Sequence, residues 1–351
     1  MTMLVRAPEN PLITPADVPP SRSDMEVICA FNAGAAVIQG RTVLLLRVAE
    51  RPIPQPGYLS TAVLDPDDPA QLDFLHFRLD DPDLNAFDKR VLSYKGQVYL
   101  TSISHLRAAF SDDGVHFSIA AAPALYPQTP YETFGIEDAR ITCLEGWYYV
   151  NYSAVSARGV CTALARTTDF ITFERLGVIF APDNKDVAIF PEKIGGRYYA
   201  FHRPSAQQIA PPSIWLASSA NLLDWGSHRY VIGPRPAMWD SERVGSGAPP
   251  IKTAHGWLEL YHASDTTTWY RHGALLLDLD DPARVLARSN RPFFSPEADY
   301  ELSGFMDHIV FSNGLVLRGD GKADLYYGAG DWVTCLARID VDAILSHLVD
   351  K

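Results

Sequence analysis

EGWYYVNYSA, residues 145–154, is the stretch that decides the fold. A charged residue and a glycine make a tight turn, an aromatic run follows, and the run closes in small polar residues. Aromatic and β-branched runs are strand chemistry, and a glycine turn ahead of them is hairpin chemistry. The unit recurs as QGRTVLLLRVAE (39–50), KGQVYLTSIS (95–104), GGRYYAFHRP (195–204), HGWLELYHAS (255–264) and DGKADLYYGAGD (320–331). A second element follows most copies: LDPDDPAQLDFLHF (64–77), FSDDGVHFS (110–118), RTTDFITFERLGVI (166–179), SSANLLDWGSHRYVI (218–232) and LDLDDPARVLARS (277–289). Each is an Asp- or Asn-rich turn, usually followed by an aromatic or aliphatic strand.

The whole unit therefore reads strand, Gly turn, strand, loop, strand, Asp turn, outer strand. Four antiparallel strands repeated at intervals of about 45–65 residues form the blade of a β-propeller. Crossover helices of adequate length are missing, which argues against a doubly wound α/β fold. The expectation is an all-β chain of six such units, the last truncated, with a β-sandwich of regular hairpins as the alternative. The one good helix candidate is the C-terminal IDVDAILSHLVD. Residues 1–25 read as an N-terminal extension, 26–340 as one propeller domain and 341–351 as a helical tail.

Composition narrows the partners. Of 351 residues, 42 are Asp or Glu and 30 are Lys or Arg, a formal net charge of −12. Nucleic acid and anionic membranes need a basic face, so neither is expected. An anionic substrate would require basic side chains gathered locally against the global field. The N-terminus lacks the apolar segment of a signal peptide, and no run of about 18 apolar residues exists. The expectation is a cytoplasmic protein without a membrane span. The four cysteines form no CxxC pair and the ten histidines no HxH or HxxxH pattern, so neither metal nor cofactor is expected. Cys143 and Cys335 lie in strand-like runs and should be reduced and buried.

In a propeller, equivalent strand ends meet around one axis although they lie far apart in sequence. The residues standing there are Arg47 and Glu50, Ser102 and Ser104, Asn151 and Ser153, His202 and Arg203, Tyr261 and His262, and Gly328 with Asp331. These are not the residues of a dry core. FGIEDARI (134–141) adds Glu137, Asp138 and Arg140 at the start of an apolar strand, where charges are costly to bury without partners. Loops supply Arg107, then Asn184, Lys185, Asp186 and Glu192, then Asp240, Glu242 and Arg243, and finally Tyr270. A carbohydrate pocket needs this mixture of carboxylates, amides and aromatics.

FNAGAAV, LLLRVAE, FGIEDARIT, NKDVAIFPEKIGGRYYAFHRP, WDSERVGSGAPPI, GWLELYH, YRHGALLLDLDDP, YELSGFMDHIVFSNG and LYYGAGD together resemble glycoside hydrolase family 130, the β-mannoside phosphorylases and related β-mannosidases. The resemblance runs from about residue 30 to 335 and implies a five-bladed β-propeller, one unit fewer than the repeat count. It implies that Asp138 is the general acid, protonating the mannosyl 3-hydroxyl, which relays a proton to the glycosidic oxygen. Phosphate then attacks from the opposite face and α-mannose 1-phosphate leaves. Ala139 stands where the family usually carries proline.

Physical chemistry supports one acid rather than two. Hydrolysis with inversion needs an acid and a base, whereas phosphate is already anionic and needs a cationic cradle. The candidates for that cradle are Arg107, Lys185, Arg203, His262 and Tyr270. Asn32, Arg47, Asp186, Glu192, Asp240 and Asp331 are the candidate sugar contacts, with Arg47 in reserve for the anion. The implied partners are a β-1,2- or β-1,4-linked mannoside and inorganic phosphate as co-substrate. One rival reading is a β-1,2-mannosidase that uses water, for which Glu242 offers a second carboxylate. Another is a non-catalytic glycan-binding propeller. A homo-oligomer is left open, since residues 1–25 could cover either a neighbouring subunit or the first blade.

Overall fold

The computed structural model describes residues 2–68, 70–205 and 209–349. Nearly all of the regular structure is antiparallel strand, arranged in five groups of four. The first group holds Met25–Ile38, Arg41–Pro52, Ile103–Ser111 and the short Ser118–Ile119. The second holds Gly135–Leu144, Trp147–Ser156, Gly159–Thr167 and Glu174–Phe180, and joins the first through a parallel pairing of Gly135 with Ser104. The third holds Asn184–Ile189, Tyr198–Pro204, Ile214–Ser219 and Trp225–Ile232. The fourth holds Arg243–Ser246, Gly256–Ser264, Tyr270–Leu277 and Val285–Arg288, with Ile251–Thr253 alongside. The fifth holds Val310–Leu317, Lys322–Ala329, Val333–Asp340 and, from the other end of the chain, Leu4–Arg6.

The six-unit count is corrected to five. KGQVYLTSIS does not found a group of its own. Gln97–Leu100 closes a three-stranded sheet with Leu84–Asp88 and Val91–Tyr94, and the chain then re-enters the first group at Ile103. LDPDDPAQLDFLHF likewise folds into the two-stranded hairpin Tyr58–Leu64 with Leu72–Arg78. Both belong to an insertion between the second and third strands of the first group. Turn chemistry signals a hairpin but not how many further strands pair with it.

The innermost strands of successive groups pack side by side, Val310–Leu317 against Met25–Ile38, that against Gly135–Leu144, and so on to Arg243–Ser246. The apolar core lies between neighbouring groups: Leu258, Leu276, Val310, Leu325 and Cys335 fill one interface, and Leu106, Ile136, Val150 and Ala163 another. The C-terminal helix is present as Val341–Val349 and buries Ile344 and Leu348 against the fourth and fifth groups. A single turn of helix at Asp299–Leu302 has no counterpart in the sequence reading. Cys335 is buried, but Cys143 is exposed. Strand alternation turns it outward between buried Thr142 and Leu144. Among the described residues no helix is long and apolar enough to cross a membrane.

Candidate active site

Three inner strands carry the same distortion at the same place. Between Phe31 and Gly34, Glu137 and Arg140, and Lys185 and Ala188, the strand register slips by one residue. The first residue of each slip is an Asn or Asp in the left-handed region: Asn32 at φ 46°, Asp138 at φ 53° and Asp186 at φ 54°. Short polar side chains tolerate that conformation, and a bulge re-aims the side chain it carries. Three polar groups that regular pleating would separate are thus turned toward one place.

That place is a cavity of about 260 Å³. Asn32, Arg47, Asp138, Lys185, Asp186, Arg203, His262, Tyr270 and Asp331 all line it. Phe31, Phe305, Ile309 and Phe311 give it an apolar wall. Asp138 Oδ1 accepts hydrogen bonds from Asn32 Nδ2 at 3.0 Å and Arg47 Nη1 at 3.1 Å. Arg47 Nη2 also donates to Glu137 Oε1 at 2.7 Å, and its guanidinium lies 4.7 Å from the Phe31 ring centre. Among the described residues nothing hydrogen-bonds Asp138 Oδ2, which leaves one carboxyl oxygen for a ligand. Gly328 makes room for this arrangement: a Cβ there would sit 2.0 Å from Asn32 Oδ1. Arg140 does not pair with the Asp138 carboxylate. It is fully buried and donates instead to the backbone carbonyls of Asp138 (3.2 Å), Gly247 (2.8 Å) and Ser246 (2.8 Å).

Lys185, Arg203, His262 and Tyr270 form another part of the cavity lining. Lys185 and Arg203 face each other across adjacent strands, and His262 lies opposite Gly245 in the next group. Tyr270 stacks against His262, with ring centres 6.1 Å apart, and its hydroxyl accepts from Arg243 Nη1 at 3.1 Å. Burial lowers the His262 pKa, and the neighbouring Asp186 offsets this only in part. Burial also pushes Asp331 up to about 6, opposed by Arg47 and Arg90 and reinforced by Asp138 and Glu137.

Four sequence candidates stand elsewhere or do something else. Arg107 is fully buried on the third strand of its group, away from the cavity, where its Nη1 donates to the carbonyls of Pro19 (2.7 Å) and Ala121 (3.2 Å). It ties the N-terminal segment down and does not join the cradle. Asp240 is fully buried between Arg235 (2.8 Å), Arg288 (2.6 Å) and the Tyr261 hydroxyl (2.9 Å), a clasp within the fourth group rather than a sugar contact. Glu192 is half-buried and paired with the exposed Lys252, and it does not line the cavity. Asp186 does line the cavity, but its carboxylate faces Arg203, His262 and Arg140. Acidic residues near a glycine or a tryptophan look alike in sequence, whether they face an axis or a neighbouring arginine.

The sequence reading missed Arg90, which enters the cavity from the insertion with Val91, Leu100 and Ser102. Asp88 holds it through Nε at 3.1 Å and Nη2 at 2.8 Å. No repeat or spacing marks Arg90, because the insertion lies outside the repeating units. The bulge signal was available: FNAG, EDAR and KDVA each set an Asn or Asp ahead of a small or β-branched residue early in an inner strand.

An all-β scaffold whose cavity sets a carboxyl group beside a cluster of cations and an apolar wall defines a carbohydrate-cleaving enzyme. Residues 77–350 match the family model described as beta-1,4-mannooligosaccharide phosphorylase. A β-1,2-mannobiose phosphorylase of Listeria innocua is 47% identical over 98% of both chains. A 1,2-β-oligomannan phosphorylase of a Thermoanaerobacter species is 40% identical over 69% of this chain and 80% of its own. The solved structure of the Listeria innocua β-1,2-mannobiose phosphorylase in complex with β-1,2-mannobiose matches with a TM-score of 0.95 at 46% identity, covering 99% of each chain. The chain belongs to glycoside hydrolase family 130, the family of the mannoside phosphorylases.

Proposed function

We propose that this enzyme is an inverting β-1,2-mannobiose phosphorylase, cleaving its disaccharide with inorganic phosphate to give α-mannose 1-phosphate and mannose. The observation that carries the reading is the shared cavity: a carboxyl group with one unbonded oxygen, Asp138, faces four candidate anion ligands, Lys185, Arg203, His262 and Tyr270. The β-1,2 linkage is favoured because the full-length relative from Listeria innocua, 47% identical, carries that name. A cavity of about 260 Å³ lies near the low end of ligand pockets, about 300 Å³, and suits a small saccharide better than a long chain.

In this reading Asp138 supplies the proton, by way of the mannosyl 3-hydroxyl, to the departing glycosidic oxygen. Asn32 and Arg47 orient the carboxyl group and, with Asp331, hold the mannosyl hydroxyls. Lys185 and Arg203 bring charge to the phosphate, and His262 and Tyr270 complete its hydrogen bonding. A preorganised anion site of this kind lowers the barrier without a catalytic base. The five groups of four strands, inner strands side by side, support a five-bladed propeller with this cavity at its axis.

Incubating the enzyme with β-1,2-mannobiose, with and without phosphate, tests the reading. Sugar phosphate should form in stoichiometric step with mannose, and only when phosphate is present. Free mannose produced at the same rate without phosphate would instead mark a β-mannosidase. Asp138→Asn should lower kcat by about 100-fold or more, the usual weight of a general acid, and full activity in that variant would remove Asp138 from the role.

A further inference from the structure

Beside Arg203 and His262 lies a buried carboxylate. Asp186 is 3% exposed. Its Oδ2 lies 2.8 Å from Arg203 Nη1 and 3.2 Å from His262 Nε2, and its Oδ1 lies 3.5 Å from Arg140 Nη2. Burial disfavours its charge, but Arg203, His262 and Arg140 outweigh that cost and hold the carboxyl well below the usual range. A bulged, left-handed backbone aims it there. Gly245 is part of the same fit: a Cβ at that position would lie 2.5 Å from Asp186 Oδ2 and 2.7 Å from His262 Nε2. Arg140, on the far side of Asp186, also binds the backbone carbonyl of Asp138 at 3.2 Å.

We infer that Asp186 is a positioning residue that fixes Arg203 and His262 for the incoming phosphate and, through Arg140, ties that site to the strand carrying Asp138. The inference rests on the phosphorylase reading above. Two physical effects oppose each other here. A negative charge beside the cradle weakens its pull on phosphate, so removing the charge alone would tighten phosphate binding. Loss of the anchor instead frees a guanidinium and an imidazole in a dry site, which misplaces both donors. Among the described residues Arg203 Nε and His262 Nδ1 have no hydrogen-bond partner, and Asp186 Oδ2 meets both side chains as a charge contact rather than an aligned hydrogen bond. Beyond it, Arg203 Nη1 lies 3.4 Å from His262 Nε2, and the imidazole packs on Tyr270 and Phe311. The anchoring effect dominates, because donors in a preorganised site lose most of their value once misaligned.

The test measures KM for phosphate at saturating β-1,2-mannobiose, and KM for mannobiose at saturating phosphate, in the parent enzyme, Asp186→Asn and Gly245→Ala. Melting temperatures are recorded for all three. Gly245→Ala leaves every charge in place and pushes the Asp186–His262 contact apart, so it tests geometry alone. Both variants should raise the phosphate KM by about tenfold or more, with the mannobiose KM within about twofold of the parent. A phosphate KM that is unchanged or lower in Asp186→Asn overturns the inference, since Asp186 would then act only as a charge. A rise confined to the mannobiose KM overturns it too, and makes Asp186 a sugar ligand. Equal rises in both constants with a large fall in melting temperature reduce Asp186 to a general structural role. A parent enzyme that releases mannose without phosphate removes the functional reading and this inference together, whereas the other outcomes leave that reading intact.

Discussion

Glu259 lies within the strand Gly256–Ser264. It is fully buried; its Oε1 accepts from the Gly247 backbone at 3.1 Å, and among the described residues its Oε2 has no partner. Burial, only partly offset by Gly247, Arg140 and Ser246, pushes its pKa up from 4.5 to about 8. The folded protein therefore keeps a proton that the unfolded chain releases between those two values. Stability contributed by this group is full below pH 4.5 and declines as pH rises toward 8. Glu259→Gln, neutral at every pH, should remove that decline. Its melting temperature should exceed the parent's by a margin that widens from pH 5 to pH 8, corresponding to at most about 1.4 kcal/mol per pH unit. A constant margin would show that Glu259 stays ionised. Residue-scale placement was the hardest thing to read in the sequence. Asp138 and Asp240 are both acids near aromatic strands, yet one faces the cavity and the other closes on two arginines. Only the partners brought in from distant strands distinguish them.

Elements explain the successes as well as the misreadings. Gly turns followed by aromatic strands are local chemistry, so every hairpin of the repeat could be read from the sequence. Grouping is not local: the insertion hairpins carry the same turn signals as the main groups. Arg107 and Arg203 both lie within strands, but Arg107 sits midway along the third strand of its group and Arg203 near the end of the second. Tyr270, at the start of a third strand, lines the cavity and Arg107, midway along another, does not, so the place of a side chain along its strand decides whether it reaches the cavity. Two element-scale outcomes follow. Asp240→Ala would strand Arg235, Arg288 and the Tyr261 hydroxyl and should cost about 3–5 kcal/mol in denaturant unfolding. Arg107→Met should lower the melting temperature while leaving the phosphate KM unchanged, and a raised phosphate KM would return Arg107 to the anion site.

At the scale of the whole molecule, the acidic surface and the cationic cavity are complementary facts. A net charge of −12 repels anions at a distance, so phosphate capture should depend on salt. Raising ionic strength with a weakly binding salt should first lower the phosphate KM by screening that repulsion, because exposed charges more than about 10 Å away are screened near 0.1 M. A phosphate KM that climbs steadily from the lowest salt would show that local cations dominate at every range. The fold class was legible from the repeat, and the convergence of residues spread from 32 to 331 followed from treating equivalent strand ends as neighbours. The repeat alone reads as six groups, since the insertion hairpins carry the same turn signals, whereas the family resemblance implies five.

That shared sheet has a bearing on how the polypeptide could be rewired. Leu4 sits directly across from Ile339, and Arg6 reaches Glu301 at 2.7 Å, so start and finish are stitched into one seam. Circular permutation is the natural probe. Bridging the old termini and opening new ones at the exposed Glu145–Gly146 turn would preserve every strand pairing. Such a permutant would have the fifth sheet finished before the first, and the second sheet, now holding both ends, finished last.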